Sequence, residues 1–506
     1  MKSMIKRRLI CFLCALLCAA VSFGACAEVY SVPIAALGGR TDVELDDGWF
    51  SSSSYNYNHA LMRASLLTSL MAIGTSAHWG ESGDFGRDKN ARTALEAFGF
   101  ADYYSYKYDV TLNDSTDSEA FVLAHRRVGD RELIIGVARC SDYGCGFSNN
   151  FHIGEGGVHA GFGNAGRLMA HTLMSYAGEH CAEAPLKIWL TGYSRAAATV
   201  NVAAAELDGA AQAGLINAAP QDIFTYSFAT PTTVREGQAG EGDPLYDNIF
   251  SIVNERDVVP VLPLPAWGYT RYGVTRTFGG IDPALSGEEA ALKYESVVTR
   301  FSVLTGKPLD LAAFNSLQAR VDDIADSFYR LIPSVDAYVS IWEELLVDFI
   351  NTMYLRVNKD SVDPAVVSLV SEKYADTEWG KYILDAVSHL NSDWKNNTLL
   401  AVLLMYGEDG VRALSSASGT ASLLSFMGEG LYYQALAFLA CADIQAQRVS
   451  ARTGMPAFML KIQYAPLLQV LGGFAAAFEG HTPSYYMAFL QALDEEAAFG
   501  SVYSAN

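Results

Sequence analysis

Positive charge is what this 506-residue sequence has least of, with 35 Lys and Arg against 56 Asp and Glu and a formal balance of −21. Neutralising nucleic-acid phosphates takes a basic face, so a nucleic-acid binder is excluded. Electrostatic docking to an anionic bilayer is disfavoured for the same reason. Charge of either sign makes up only 18% of the residues while half are apolar, which argues against disorder. Collagen-like, coiled-coil and multi-pass membrane compositions are also missing. At about 150 residues per domain, the length suggests about three units or one large catalytic domain with insertions.

Cysteine is sparse, and part of it falls in a segment of its own. Lys2, Lys6, Arg7 and Arg8 precede an apolar run from Leu9 to Phe23, shorter than the roughly 20 residues that span a bilayer. Ala25-Cys26-Ala27 then supplies small residues for signal peptidase. Residues 1–27 are therefore expected to be an export signal, leaving the protein secreted or associated with the cell envelope. A lipidated lipoprotein cysteine at Cys26, after Phe23-Gly24-Ala25, is the alternative. Beyond the signal remain Cys140, Cys145, Cys181 and Cys441, which allow three full pairings that sequence cannot separate. They lack CxxC spacing and an accompanying histidine cluster, so no zinc site and no metal are expected.

Residues 28–58 hold Gly38-Gly39, acidic Asp46 and Asp47, and Ser51 to Ser54, and read as a loosely structured lead-in. From His59 to Ala77 the apolar positions Leu61, Leu66, Leu67, Leu70 and Met71 recur at helical spacing. A second helix is expected over Asn90 to Phe98. The period then changes, with strands expected at Tyr103 to Leu112, Ala120 to Val128 and Glu132 to Arg139. Helices at Gly161 to Tyr176 and Arg195 to Leu207 alternate with strands at Leu186 to Thr191, Ile223 to Phe228 and Ile249 to Val253. This alternation predicts an α/β class with a mostly parallel sheet and helices on both faces.

Beyond Trp267 the pattern reads as almost purely helical. Leu311, Phe314, Leu317, Val321, Ile324, Phe328 and Leu331 form one apolar stripe, ended by Pro333. A further helix starts near Val335, and Asp363-Pro364 resembles another helix start. The predicted organisation is a core over 59–275, a helical insertion over 276–463, and a C-terminal return over 464–506. No internal repeat is evident.

The chemistry centres on Gly192-Tyr193-Ser194-Arg195-Ala196. A serine on a sharp strand-to-helix turn needs small residues two positions either side, because a larger Cβ would strike the adjacent backbone. Gly74-Thr75-Ser76, Gly80-Glu81-Ser82 and Gly146-Phe147-Ser148 share the preceding glycine. They are followed at the second position by His78, Asp84 and Asn150, and only Ser194 lies between a buried strand and a helix. An activated serine needs a base and a group to orient it. Of the nine histidines only His389 and His481 follow Ser194. His389 falls in an expected helix, Lys381 to Leu390, whereas His481 sits in a loop before Thr482-Pro483 and is the expected base. Asp257, just past the strand ending at Val253, is the expected acid. Glu255 competes, and Asp243 and Asp247 fit less well.

With those residues in view, the chain resembles the class 3 (fungal-type) lipases of the α/β-hydrolase fold, and among them bacterial exported members. Ala138-Arg139-Cys140-Ser141 is similar to the family's Phe-Arg-Gly-Ser/Thr turn, and Val158-His159-Ala160-Gly161-Phe162 to its Val-His-x-Gly-Phe. Asn254-x-x-Asp257-x-Val259-Pro260-x-Leu262-Pro263 matches its acid segment, and His481 with Tyr485 matches its terminal His-x-x-x-Tyr region loosely. The resemblance implies an oxyanion hole from Ser141 and the backbone N–H of Arg195. His159 would be structural. Cys140, Tyr193 and Ala196 depart from the usual glycine, histidine and glycine.

Together these readings predict a serine hydrolase cleaving carboxylic esters, most simply acylglycerols, without a cofactor. A phospholipase, peptidase or acyltransferase on the same triad, and a silent envelope protein binding lipid or a partner, stay open. The helical insertion is expected to roof the serine as a cap with an apolar inner wall, and to offer a contact with membrane or lipid-droplet surfaces.

Overall fold

A computed structural model describes residues 27–34, 39–73, 88–108, 119–139, 144–237, 242–280, 288, 292–347, 444–457, 459–460 and 477–499. The expected export signal, Ser141, His389 and most of the helical insertion lie outside these residues. So do Cys140, Cys441 and the side chain of Cys145. Cys181 is buried and carries a free thiol.

The first described strands, β1 (Glu28–Ile34) and β2 (Gly39–Leu45), pair antiparallel. This corrects the reading of 28–58 as a loose lead-in. Val32, Ile34, Val43 and Leu45 alternate with more exposed neighbours and are buried in the main core. Only two apolar residues per strand show the period, too few to stand out against the glycines and charges around them. Helices α1 (His59–Met71) and α2 (Lys89–Ala97) follow. Asn58 caps α1 by accepting from the backbone N–H groups of Ala60 and Leu61.

Among the described residues the central sheet has seven strands. In chain order they are β3 (Ala101–Tyr106), β4 (Phe121–Val128), β5 (Arg131–Ala138), β6 (Leu186–Tyr193), β7 (Ile223–Phe228), β9 (Ile249–Asn254) and β11 (Val274–Phe278). Short strands β8 (Val234–Arg235) and β10 (Tyr269–Thr270) pair separately. The spatial order is β11-β9-β7-β6-β5-β4-β3. Strands β5, β6, β7, β9 and β11 are parallel, while β4 and β3 join antiparallel at one edge. Every residue of β6, β7 and β9 is buried, as expected for strands covered on both faces.

One face of the sheet packs α1, α2 and the C-terminal helices α7 (Pro483–Ala492) and α8 (Glu495–Phe499), with Trp189, Phe224, Phe228, Phe250 and Phe278 between them. The other face packs α3 (Ala160–His180) and α4 (Arg195–Gln212) over Leu123, Ile134, Ile188 and Leu190. Each fully buried Leu or Phe contributes about 1.5–3 kcal/mol relative to exposure. This is a mostly parallel α/β sheet with helices on both faces, as the sequence pattern predicted.

Strand β11 was not foreseen, because its central Arg276 breaks the apolar pattern. That side chain is buried all the same. It pairs with Glu495 at 2.7 Å and lies 3.8 Å over the Tyr57 ring, so aromatic and ionic partners replace water. The sheet thus runs past residue 275. Helices α5 (Glu295–Thr305) and α6 (Leu311–Leu331) come next. Phe314, Leu317, Val321 and Ile324 of the expected stripe are its buried face. Val321 and Ile324 cluster with Val258 and Ala477, neighbours in sequence of Asp257 and of the turn that bears His481. A further helical stretch from Val335, with a π-helical turn at Tyr338–Trp342, packs Tyr338, Trp342 and Leu345 against Ile153, Leu264 and Trp267.

Candidate active site

Ser194 occupies the turn between β6 and α4 with φ 60° and ψ −133°. A non-glycine residue there costs on the order of 1–3 kcal/mol and persists only where its surroundings enforce it. They do. The Ser194 N–H donates to the Phe228 carbonyl of β7 at 2.8 Å, and its own carbonyl accepts from Ala197 at 2.9 Å. A Cβ on Gly192 would stand 2.7 Å from the Ala196 carbonyl oxygen, so glycine is required for the turn to close. Ala196 is fully buried against the sheet.

Three distant segments meet at this turn. His481 Nε2 lies 2.7 Å from Ser194 Oγ, and its Nδ1 lies 2.8 Å from Asp257 Oδ2. With Nδ1–H donating to the carboxylate, Nε2 presents its lone pair to the serine hydroxyl. Asp257 also accepts from the Tyr486 hydroxyl at 2.8 Å and from the Val259 N–H at 2.9 Å. Its side chain is fully buried, and these three donors compensate the charge that burial would otherwise penalise. Burial first, then the Asp257 charge, hold the Tyr486 phenol well above its ordinary range, so it stays a donor.

His481 does not project freely from a loop, as its sequence context suggested. It ends a 3-10 turn, Phe478–His481, and is only 4% exposed. Its carbonyl accepts from the Tyr193 hydroxyl at 2.6 Å, and Asn254 Nδ2 donates to the Gly480 carbonyl at 3.0 Å. A Cβ on Gly480 would fall 1.9 Å from the Arg256 carbonyl oxygen. His481 is thus seated by backbone contact with the turn that bears Asp257.

The other candidates go elsewhere. Glu255 pairs with Arg256, and Asp243 caps a turn through Leu245 N–H at 2.9 Å. Asp247 sits at the end of that same turn. His159 accepts from Phe162 N–H at the start of α3 and stacks on the Phe162 ring at 3.9 Å, a structural role. Tyr485 donates to Glu479 at 3.1 Å and stacks on Phe314, so Tyr486 reaches the acid and Tyr485 does not. Sequence reasoning missed Tyr486 and Gly480, and it met Asn254 only as part of the acid segment, without a role. The adjacent Tyr485-Tyr486 pair was the available signal.

Arg195, directly after Ser194, is buried and pairs with the fully buried Glu119 at 3.2 Å. Burial pushes the Glu119 carboxyl up to about 7, although Arg195 and Arg139 oppose the shift. No charge at this depth was foreseen behind the turn. The Arg195 N–H heads α4, where the helix dipole favours negative charge.

The family model for lipase (class 3) matches residues 137–267. No curated protein matches the sequence. A lipase from Rhizopus microsporus var. chinensis is 16% identical over 43% of this chain and 75% of its own, with a TM-score of 0.30. A Rhizomucor miehei triacylglyceride lipase is 17% identical over 50% of this chain and 83% of its own, with a TM-score of 0.28. A further fungal lipase is 18% identical over 45% of this chain and 81% of its own, at a TM-score of 0.30. Residues 137–267, the stretch that includes Ser194 and Asp257, are thus similar to the class 3 lipases.

Proposed function

We propose that the chain is an exported serine hydrolase cleaving carboxylic esters, with acylglycerols or related lipids as substrates. The observation that supports this is the continuous chain from Ser194 Oγ through His481 to Asp257, at 2.7 and 2.8 Å, on a strained strand-to-helix turn. Ser194 is partly exposed, so an ester can reach its hydroxyl. In this reading Ser194 attacks the ester carbonyl while His481 Nε2 takes its proton. His481 then protonates the departing alcohol, and a water repeats the cycle on the acyl-enzyme. Asp257 fixes the imidazole tautomer and stabilises its cation. The Arg195 N–H would meet the developing oxyanion, a contribution of about 3–4 kcal/mol for one such donor.

Export rests on the basic and apolar segments within residues 1–27. The cap proposal is supported by α6, whose Val321 and Ile324 pack beside the acid and base segments. Its apolar lining would favour long acyl chains. The test is Ser194→Ala with p-nitrophenyl esters. Hydrolysis should fall by at least about 10⁴, the scale of triad knockouts, and fluorophosphonate labelling should vanish. Retained turnover in that variant would move the nucleophile elsewhere.

A further inference from the structure

At the antiparallel edge of the sheet, away from Ser194, a second imidazole stands among oxygen donors. His125 of β4 has Nε2 2.9 Å from Asp102 Oδ2 of β3 and Nδ1 3.1 Å from Glu132 Oε2 of β5. His180, the last residue of α3, brings a second imidazole whose centroid is 5.9 Å from that of His125. One ligand atom each from Asp102, His125 and His180 lie within 4.8 Å of one another. We infer that His125 Nε2, the Asp102 carboxylate and the His180 imidazole form a binding site for a divalent zinc-type ion.

The donor set selects the ion class. Two imidazoles and one carboxylate suit zinc and neighbouring transition metals, whereas calcium and magnesium take oxygen shells. Zinc holds nitrogen and carboxylate ligands at about 2.0–2.2 Å, so donors this close need to shift by only about an ångström to converge. A ligating histidine typically donates its other N–H to a carboxylate, which fixes the tautomer. Glu132 stands in that place, with its second oxygen held by Arg127 at 3.1 Å. Asp102 is pinned to α3 by the Tyr176 hydroxyl, which donates to its carbonyl at 2.7 Å. The C-terminal end of α3, where His180 sits, adds negative potential that favours a cation.

Glu132 and the buried Cys181 make a second trio with His125. One imidazole directs its two nitrogens to opposite sides, so a single ion cannot use both. The Nε2 side is open to solvent, with Asp102 56% exposed and His180 exposed, while Cys181 is buried. Remaining coordination positions would be filled by water. The ion would clasp the end of α3 to β3 and β4.

The test is calorimetric titration of zinc chloride into the purified, untagged chain after chelator treatment. One saturable equivalent is expected. His180→Ala and Asp102→Asn should each remove it, with circular dichroism matching the parent. Glu132→Gln should weaken it about 10–100-fold, the usual effect of losing an outer-shell partner, and Cys181→Ser should leave it unchanged. Absence of saturable zinc binding, or His180→Ala binding as tightly as the parent, overturns the site. Loss of the ion in Cys181→Ser would also overturn it, by placing the metal on the Nδ1 side.

Discussion

His481 and His125 each engage an oxygen group through both ring nitrogens, and the contrast between them shows how one side chain takes two chemistries. His481 has a hydroxyl at Nε2 and a carboxylate at Nδ1, and it is buried at the parallel end of the sheet. His125 has a carboxylate at each nitrogen, at the antiparallel edge, with solvent beside it. A hydroxyl offers a proton to remove, so the first imidazole can act as a base. Two carboxylates offer only negative charge, so the second suits a metal cation. Which chemistry results depends on the partner of Nε2 and on water access, not on the histidine.

The comparison can be broken most severely at Asp257. Asp257→Asn keeps the shape but can present an amide N–H to His481 Nδ1, favouring the wrong tautomer. Ester hydrolysis should fall by about 10⁴ in kcat. A loss smaller than tenfold would show that the carboxylate does not orient this imidazole. Gly480→Ala tests the seating of the base. Its Cβ would collide with the Arg256 carbonyl oxygen, 1.9 Å away, and push His481 off the serine. A displacement of 1 Å can cost about 10² in rate, so kcat should drop on that scale. Unchanged kinetics would mean that the turn has room to give.

The smallest effect is expected at Glu119. Burial holds its folded pKa at about 7, above the ordinary carboxyl value of 4.5, so the folded state holds the proton more tightly than the unfolded chain. Stability from this group is fully present below the lower value and is lost as pH rises through the higher one. In Glu119→Gln, denaturant midpoints measured from pH 4.5 to 7 should decline less steeply with pH than in the parent. An identical slope would remove Glu119 as the source.

Much of the sheet was legible because its central strands are short apolar runs between turn residues. Leu186 to Thr191, Ile223 to Phe228 and Ile249 to Val253 were each expected within two residues of the strands found. The elements that escaped have little or no local apolar signal. β1 and β2 carry two core residues each, and β11 carries Arg276 where an apolar residue would announce a strand. Their strand character comes from burial against other segments, a non-local term that no window of the sequence contains.

The sequence alone determined the serine turn, because Gly192 and Ala196 answer a local steric demand within five residues. It also set the chain order of hydroxyl, carboxylate and imidazole, which the class 3 lipase-like pattern shares. Only the tertiary structure decided that Tyr486 rather than Tyr485 supports Asp257, that Glu119 lies behind Arg195, and that His125, His180 and Asp102 converge. Those groups are tens to hundreds of residues apart. Hydrogen bonds and metal ligation act over about 2–3 Å, so only packing of the sheet and its helices selects which distant side chains share that range.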